Sequence, residues 1–99
     1  MEINPIILES ASNLFKALSE PNRLTIVYLL SFGELNVNTL AEKLDRHQSA
    51  VSHQLKILKA ARIVKSRKEG KSRLYSLADE HIYEIVDQVF THVQEKESL

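Results

Sequence analysis

The sequence contains no cysteine. Disulfides, thiolate metal sites and cysteine redox switches are therefore excluded from the outset. Glycine and proline are almost as scarce, with two of each in 99 residues. With 43% hydrophobic and 26% charged residues, the composition is globular and helix-friendly rather than disordered. No apolar run reaches the length of a membrane span, and the opening "MEINPIILESASN" is too short and too acidic for a secretory signal. The expectation is a cytoplasmic chain with no membrane partner. Ninety-nine residues make one domain, 1–99, at the small end of what buries a core alone. Chains of this size often gain core by dimerising.

Net charge is missing too, with 13 basic and 13 acidic residues. Its distribution is uneven. Residues 1–45 carry 3 basic and 6 acidic side chains, a net −3. Residues 46–74 carry 9 basic and 1 acidic, a net +8, and residues 75–99 carry 1 basic and 6 acidic, a net −5. A concentrated positive segment is the electrostatic footprint of a nucleic-acid site, although solvated basic faces are also common.

Hydrophobic spacing predicts the elements. "PIILESASNLFKALS" places Ile7, Ala11, Leu14, Phe15 and Leu18 on one helical stripe. "SEPNRLTIVYLLSFG" begins a second helix at Pro21 and ends it near Gly33, with Leu24, Val27, Tyr28 and Leu30 facing inward. "NVNTLAEKLD" reads as a short, asparagine-capped helix with Leu40, Ala41 and Leu44 inside. "HQSAVSHQLKILKAARIV" repeats Val51, Leu55 and Leu58 at helical spacing. The period then changes to strands, "IVKSR" and "SRLYSL", around "KEGK", where Gly70 suits a tight turn. A last helix runs from about Asp79 to about Lys96. The predicted fold is mainly α with a small β-hairpin wing, in the order α-α-α-α-β-β-α. Two short helices joined by "DRH" form a helix-turn-helix, and the hairpin makes it a winged one.

On the second helix of that pair the polar side chains gather near the N-terminal end: Gln48, Ser49, Ser52, His53 and Lys56. A helix that reads the major groove needs such an arrangement, because hydroxyls, amides and imidazoles meet base edges and phosphates there. The hairpin carries Arg67, Lys68, Lys71 and Arg73. Strand alternation divides these between two faces, and they suit backbone contact, which supplies affinity rather than sequence choice.

"FKALSEPNRLTIVYLL", "LAEKL…QSAVSHQLKILKAARIV" and "RKEGKSRLYSL" together resemble the ArsR/SmtB family of winged-helix metal-sensing repressors, over about residues 14–95. The resemblance implies a cytoplasmic bacterial homodimer, with N- and C-terminal dimerisation helices, that represses an operator in double-stranded DNA and releases it on binding a metal. His47 stands where the family usually caps the recognition helix with serine or threonine. Many members hold a thiolate site around an "ELCV"-like stretch. Here it reads "ELNV", with Asn36 in the cysteine's place, which argues against thiolate sensing of arsenite, cadmium, lead or copper(I).

A second family site has the pattern D-x-H-x10-H-x2-E/H, and Asp79, His81, His92 and Glu95 match every position. On a helical projection with Ile82 at the origin, Ile85, Val86, Val89 and Val93 lie within about 60° of it. His81, His92 and Glu95 fall at about 260°, about 280° and about 220°, along one edge of the stripe. His81 and His92 align but stand roughly 16 Å apart along the axis, so one helix cannot close one site. A two-fold antiparallel pair brings each edge against its own equivalent. Asp79 and His81 of one chain then meet His92 and Glu95 of the other. Asp79 converges with His81 only from a non-helical start such as an N-cap. Two imidazoles and two carboxylates in a closed tetrahedron suit Zn2+, with Co2+ as a surrogate. The expectation is a zinc-responsive repressor. The alternatives are a relative with another metal inducer, or none, and a small metal-dependent hydrolase. Against an enzyme, the sequence has no Gly-rich loop, nucleophile elbow or HExxH, and offers little room for a small organic substrate.

Overall fold

The computed structural model describes residues 2–97. Its order is α1 (Pro5–Leu18), α2 (Pro21–Leu30), β1 (Leu35–Asn36), α3 (Val37–Leu44), α4 (Gln48–Ala60), β2 (Val64–Glu69), β3 (Ser72–Leu77) and α5 (Glu80–Glu97). The helices begin where short polar side chains take up orphan N–H groups. Asn4 accepts the Ile6 N–H at 2.8 Å, and Asn36 accepts that of Thr39 at 2.8 Å. Glu20 caps α2 by accepting the N–H groups of Asn22 (3.0 Å) and Arg23 (3.1 Å), with Pro21 following at the first helical position. Burial works against the Glu20 carboxylate. The two backbone bonds and the Arg23 charge outweigh it and hold its pKa below the usual value.

Helix α4 starts differently. His47 occupies its N-cap with extended backbone and makes no side-chain capping bond. Its far end is closed tightly. Arg62 adopts the left-handed conformation (φ 62°), its N–H reaches the Lys59 carbonyl at 3.0 Å, and the Ile63 N–H reaches that of Leu58 at 2.9 Å. This Schellman closure seats Ile63 against Leu58, both fully buried, and sends the chain straight into β2.

The three strands form one antiparallel sheet in the order β1-β3-β2. Register runs from Val64 opposite Leu77 to Glu69 opposite Ser72, with Gly70 (φ 59°) at the first of the two loop positions, where a tight hairpin needs a positive φ. The hairpin strands extend to Lys68 and Glu69, beyond the predicted "IVKSR". The two-residue β1 was not expected: it carries no periodicity and exists only because Leu35 and Asn36 pair with Tyr75 and Leu74, far away in sequence. Gly33 (φ 144°) lies just past the Ser31 cap of α2 and turns the chain toward β1.

The core gathers Ile26, Val27 and Leu30 of α2, Leu40 of α3, Val51, Leu55 and Leu58 of α4, Ile63, Val64, and Ile82 and Val86 of α5. The α1 stripe departs from expectation. Only Ala17 and Leu18 are buried and Leu14 is half-buried, while Ile6, Ile7, Leu8 and Phe15 are exposed. The radius of gyration is 14.6 Å, above the about 13 Å of a compact domain of this length. One chain leaves α1 and the end of α5 uncovered.

The empty cap of α4 is directly testable. His47→Ser supplies the missing acceptor and is expected to raise unfolding stability by about 0.5–1 kcal/mol, read from chemical denaturation at fixed protein concentration. No change, or a loss, would show that His47 contributes a contact equal to a serine cap.

Candidate nucleic-acid interface and metal-binding face

Helices α3 and α4 form the helix-turn-helix. The left-handed Asp45 (φ 53°) ends α3, and the Arg46 N–H returns to the Ala41 carbonyl at 3.1 Å. On α4, Val51, Leu55 and Leu58 face the core, so the opposite arc is presented outward. Ser49, Ser52, His53 and Lys56 lie on that arc and are exposed, while Gln48, also exposed, projects about 60° from Val51 on the flank opposite Gln54. Gln54 lies on the inner flank, half-buried, and accepts from Arg23 Nη1 at 3.1 Å.

Sheet register sorts the wing cations. Lys68 pairs with Arg73 and Ser66 with Tyr75, which sets Ser66, Lys68 and Arg73 on one face. That face belongs with α4, because Ser66 Oγ accepts from Lys59 Nζ at 2.8 Å and from Arg73 Nη1 at 3.1 Å. Lys68 and Lys71 form no ion pair among the described residues. Two like charges directly opposed across a ladder are unfavourable by themselves, so the Lys68–Arg73 pair suits an anion on that side.

Arg67 belongs to the other face, in register with Leu74 and, through it, Asn36. Its Nε and Nη2 donate to Glu34 Oε2 and Oε1, each at 2.9 Å, and Nη2 also reaches Glu69 Oε2 at 2.9 Å. The fork on Glu34 spans the sheet and ties the outer wing strand to the segment entering β1. The Arg67 hydrogen bond, opposed by desolvation and helped by the Arg67 and Lys65 charges, holds the Glu34 carboxyl below its usual pKa. The guanidinium is correspondingly raised, first by its bond to Glu34 and then by that carboxylate's charge. The sequence alone groups Arg67 with the other wing cations, because Glu34 lies 33 residues away and no local pattern links the two.

The metal-ligand candidates lie on α5. Asp79 is its N-cap: Oδ1 accepts the Ile82 N–H at 3.0 Å, and Oδ2 stands 3.7 Å from His81 Nδ1. Both side chains are exposed, His81 at 87%. Two ligands of one tetrahedral zinc stand about 3–3.5 Å apart, so a cap carboxylate and this imidazole fit neighbouring positions on such an ion. His92 and Glu95 are exposed three turns further on. Among the described residues, no three His, Asp or Glu side chains of a single chain gather as a metal site. Asn36, in the place where the resemblance expects a thiolate, is occupied in capping α3.

Burial also redraws the apolar stripe of α5. Ile82 and Val86 are buried in the chain's own core, with Phe90 half-buried beside them at 4.6 Å from the Tyr28 ring. Ile85 is half-buried, and Val89 and Val93 remain about half exposed. The inward face therefore centres about 40° to one side of Ile82, and the apolar surface left over, Ile85 and Val89, adjoins His81 and His92 directly. The histidines border the uncovered surface more closely than the symmetric stripe suggested.

No helix among the described residues is long and apolar enough to cross a membrane. Residues 20–66 match the family model described as bacterial regulatory protein, arsR family. The chain is 40% identical over 89 residues to a transcriptional repressor SmtB homologue from Synechocystis, spanning 90% of this chain and 67% of that one. It is 43% identical over 89 residues to a cadmium resistance transcriptional regulatory protein CadC homologue from Staphylococcus aureus, spanning 89% of this chain and 74% of the relative. Among solved structures, the homodimeric winged helix-turn-helix DNA-binding domain from Mycobacterium bovis superposes with a TM-score of 0.88 at 28% identity, covering 92% of this chain and 84% of that domain. With the exposed polar arc of α4, the cationic wing face and these relatives together, the chain belongs to the ArsR family of winged helix-turn-helix transcriptional regulators, and is not an enzyme.

Proposed function

We propose that this protein is a cytoplasmic zinc-responsive repressor: a single-domain chain that binds operator DNA as an apo homodimer and releases it when Zn2+ is bound. The observation that carries the metal half is the approach of Asp79 to His81 at the start of α5. A cap carboxylate and an imidazole converge there, and the matching pair, His92 and Glu95, lies about 16 Å further along. Antiparallel pairing of two α5 helices through Ile85 and Val89 supplies each half-site with its complement. The bound ion would draw the two α5 helices into one geometry. These residues supply neutral imidazoles and carboxylates and leave no position needed for water, as befits a regulatory rather than a catalytic site. The sulfur-free donor set favours zinc or cobalt(II) over softer ions.

On the DNA side, Ser52 and His53 reach base edges, and the wing touches phosphate through Lys68 and Arg73. Arg67 serves mainly to hold the wing against Glu34. The prediction separates these roles. Using a duplex selected by the apo-protein from a random pool, Ser52→Ala or His53→Ala should reduce preference for that duplex over random DNA. Lys68→Ala or Arg73→Ala should weaken both and flatten the slope of log affinity against log salt by about 0.9 each. Arg67→Ala should leave that slope unchanged. A slope that falls as much for Arg67→Ala as for Lys68→Ala would return Arg67 to the phosphate contacts.

The same duplex tests the inducer. Zinc in excess should release it from the parent. His92→Ala should bind the duplex like the parent without metal and fail to release it with zinc. Asp79→Asn keeps the helix cap but loses a charged ligand, and should lower zinc affinity by about tenfold or more while release persists at high zinc. If His92→Ala still releases DNA on zinc addition, the inducer acts elsewhere. If zinc has no effect on the parent, a different inducer must be sought. Sedimentation of the apo-protein should give a dimer at micromolar concentration, since α1 and α5 leave apolar faces open. A stable monomer would rule out the cross-chain site.

A further inference from the structure

We infer that Arg23 is a positioning residue that sets the angle of the reading helix relative to the dimerisation helix, and so contributes to operator choice without touching DNA. This rests on the DNA-binding reading above. Arg23 sits in the first turn of α2, between the two elements concerned. Its Nε donates to the Ala17 carbonyl at 2.7 Å, in the last turn of α1, and its Nη1 donates to Gln54 Oε1 at 3.1 Å, on α4. The Ala17 carbonyl is one of the orphan acceptors of a helix C-terminus, where a cation is also favoured by the helix dipole. The guanidinium is planar, and these two donors leave it in different directions. One rigid group therefore fixes α1 and α4 at a defined angle. Lysine carries the charge but not two donors held at a set angle.

Gln54 makes this a strut for reading rather than a reader. It lies on the flank of α4 turned from Ser52 and His53, half-buried against α2. Helix α1 carries the exposed Ile6, Ile7, Leu8 and Phe15, the surface that a partner chain would cover. In a two-fold dimer, the match to two half-sites depends on how each reading helix is set relative to the dimer interface. The Ala17–Arg23–Gln54 chain is a direct polar link between those two surfaces. Turning α4 about this link carries the wing with it and spoils the match to spaced half-sites, while on random DNA, where no register is required, the wing cations keep their attraction to phosphate.

The test uses the full-length protein and the duplex it selects from a random pool. Arg23→Lys and Gln54→Met should each lower affinity for that duplex by about tenfold, the scale of a hydrogen bond to a charged group. Affinity for random duplex, its salt slope and the sedimenting dimer should stay as in the parent. The double variant should lose no more than the larger single loss, since both remove one interaction. Gln54→Glu should keep affinity near the parent's, because a carboxylate accepts from the same guanidinium. Should Arg23→Lys fail to fold, the Gln54→Met and Gln54→Glu pair decides the matter alone. The strut is overturned if Gln54→Met keeps the parent's preference, if specific and random binding fall in parallel, or if the two single losses add. A parent that enriches no duplex at all overturns the DNA reading itself, and the strut with it.

Discussion

Too little core for too many apolar faces is the constraint on which this molecule depends. Helices α2, α3 and α4, the base of the hairpin and the first half of α5 close around Ile26, Leu40, Leu55, Leu58 and Ile63, all fully buried. Nothing among the described residues remains to cover Ile6, Ile7, Leu8 and Phe15 on α1 or Val89 and Val93 on α5. Those side chains are the cost of keeping α1 and α5 as outriggers. They are also why any site on α5 has a partner chain as its natural complement. In the proposed reading, metal binding and assembly share one surface, and a ligand held between two chains acts on the geometry of both.

Charge follows the same division of labour. The positive segment predicted from residues 46–74 is folded so that its cations do different things. Lys56 and Lys68 are exposed, and Lys59 and Arg73 converge on Ser66. Arg67, in the same strand, faces the other way and is held by two carboxylates. A net count treats these as equal, but only some are available to an anion.

Much of this was legible in the sequence because it depends on local rules. The spacing of Val51, Leu55 and Leu58 marks the inward face of α4, and the outward residues follow by elimination. Gly70 announces the hairpin, and Asp79 two residues before His81 requires a cap to converge, which the Asp79–Ile82 bond provides. What stayed hidden was set by long-range contact. The strand β1 exists only through pairing with β3. Glu34 and Arg67 meet across the sheet, and Arg23 and Gln54 across a helix packing, pairs separated by 33 and 31 positions in the chain. The α1 stripe was legible as a stripe but not as to which molecule buries it, since periodicity reports amphipathicity and not the identity of the neighbour. His47 shows the same limit in reverse: an unusual cap residue was visible, and the missing bond at α4 follows from it.

The closure between α4 and β2 has a mechanical consequence. Three residues separate the two elements, and the Arg62 and Ile63 N–H groups are bonded back into the helix. No hinge remains there, so helix and hairpin behave as one lever with its fulcrum at the Leu58–Ile63 contact. The hairpin projects about 20 Å, so a rotation of about 10° at the helix carries its tip about 3.5 Å, enough to break a phosphate contact. Departure from a duplex would then be concerted, groove and backbone grip failing in the same movement.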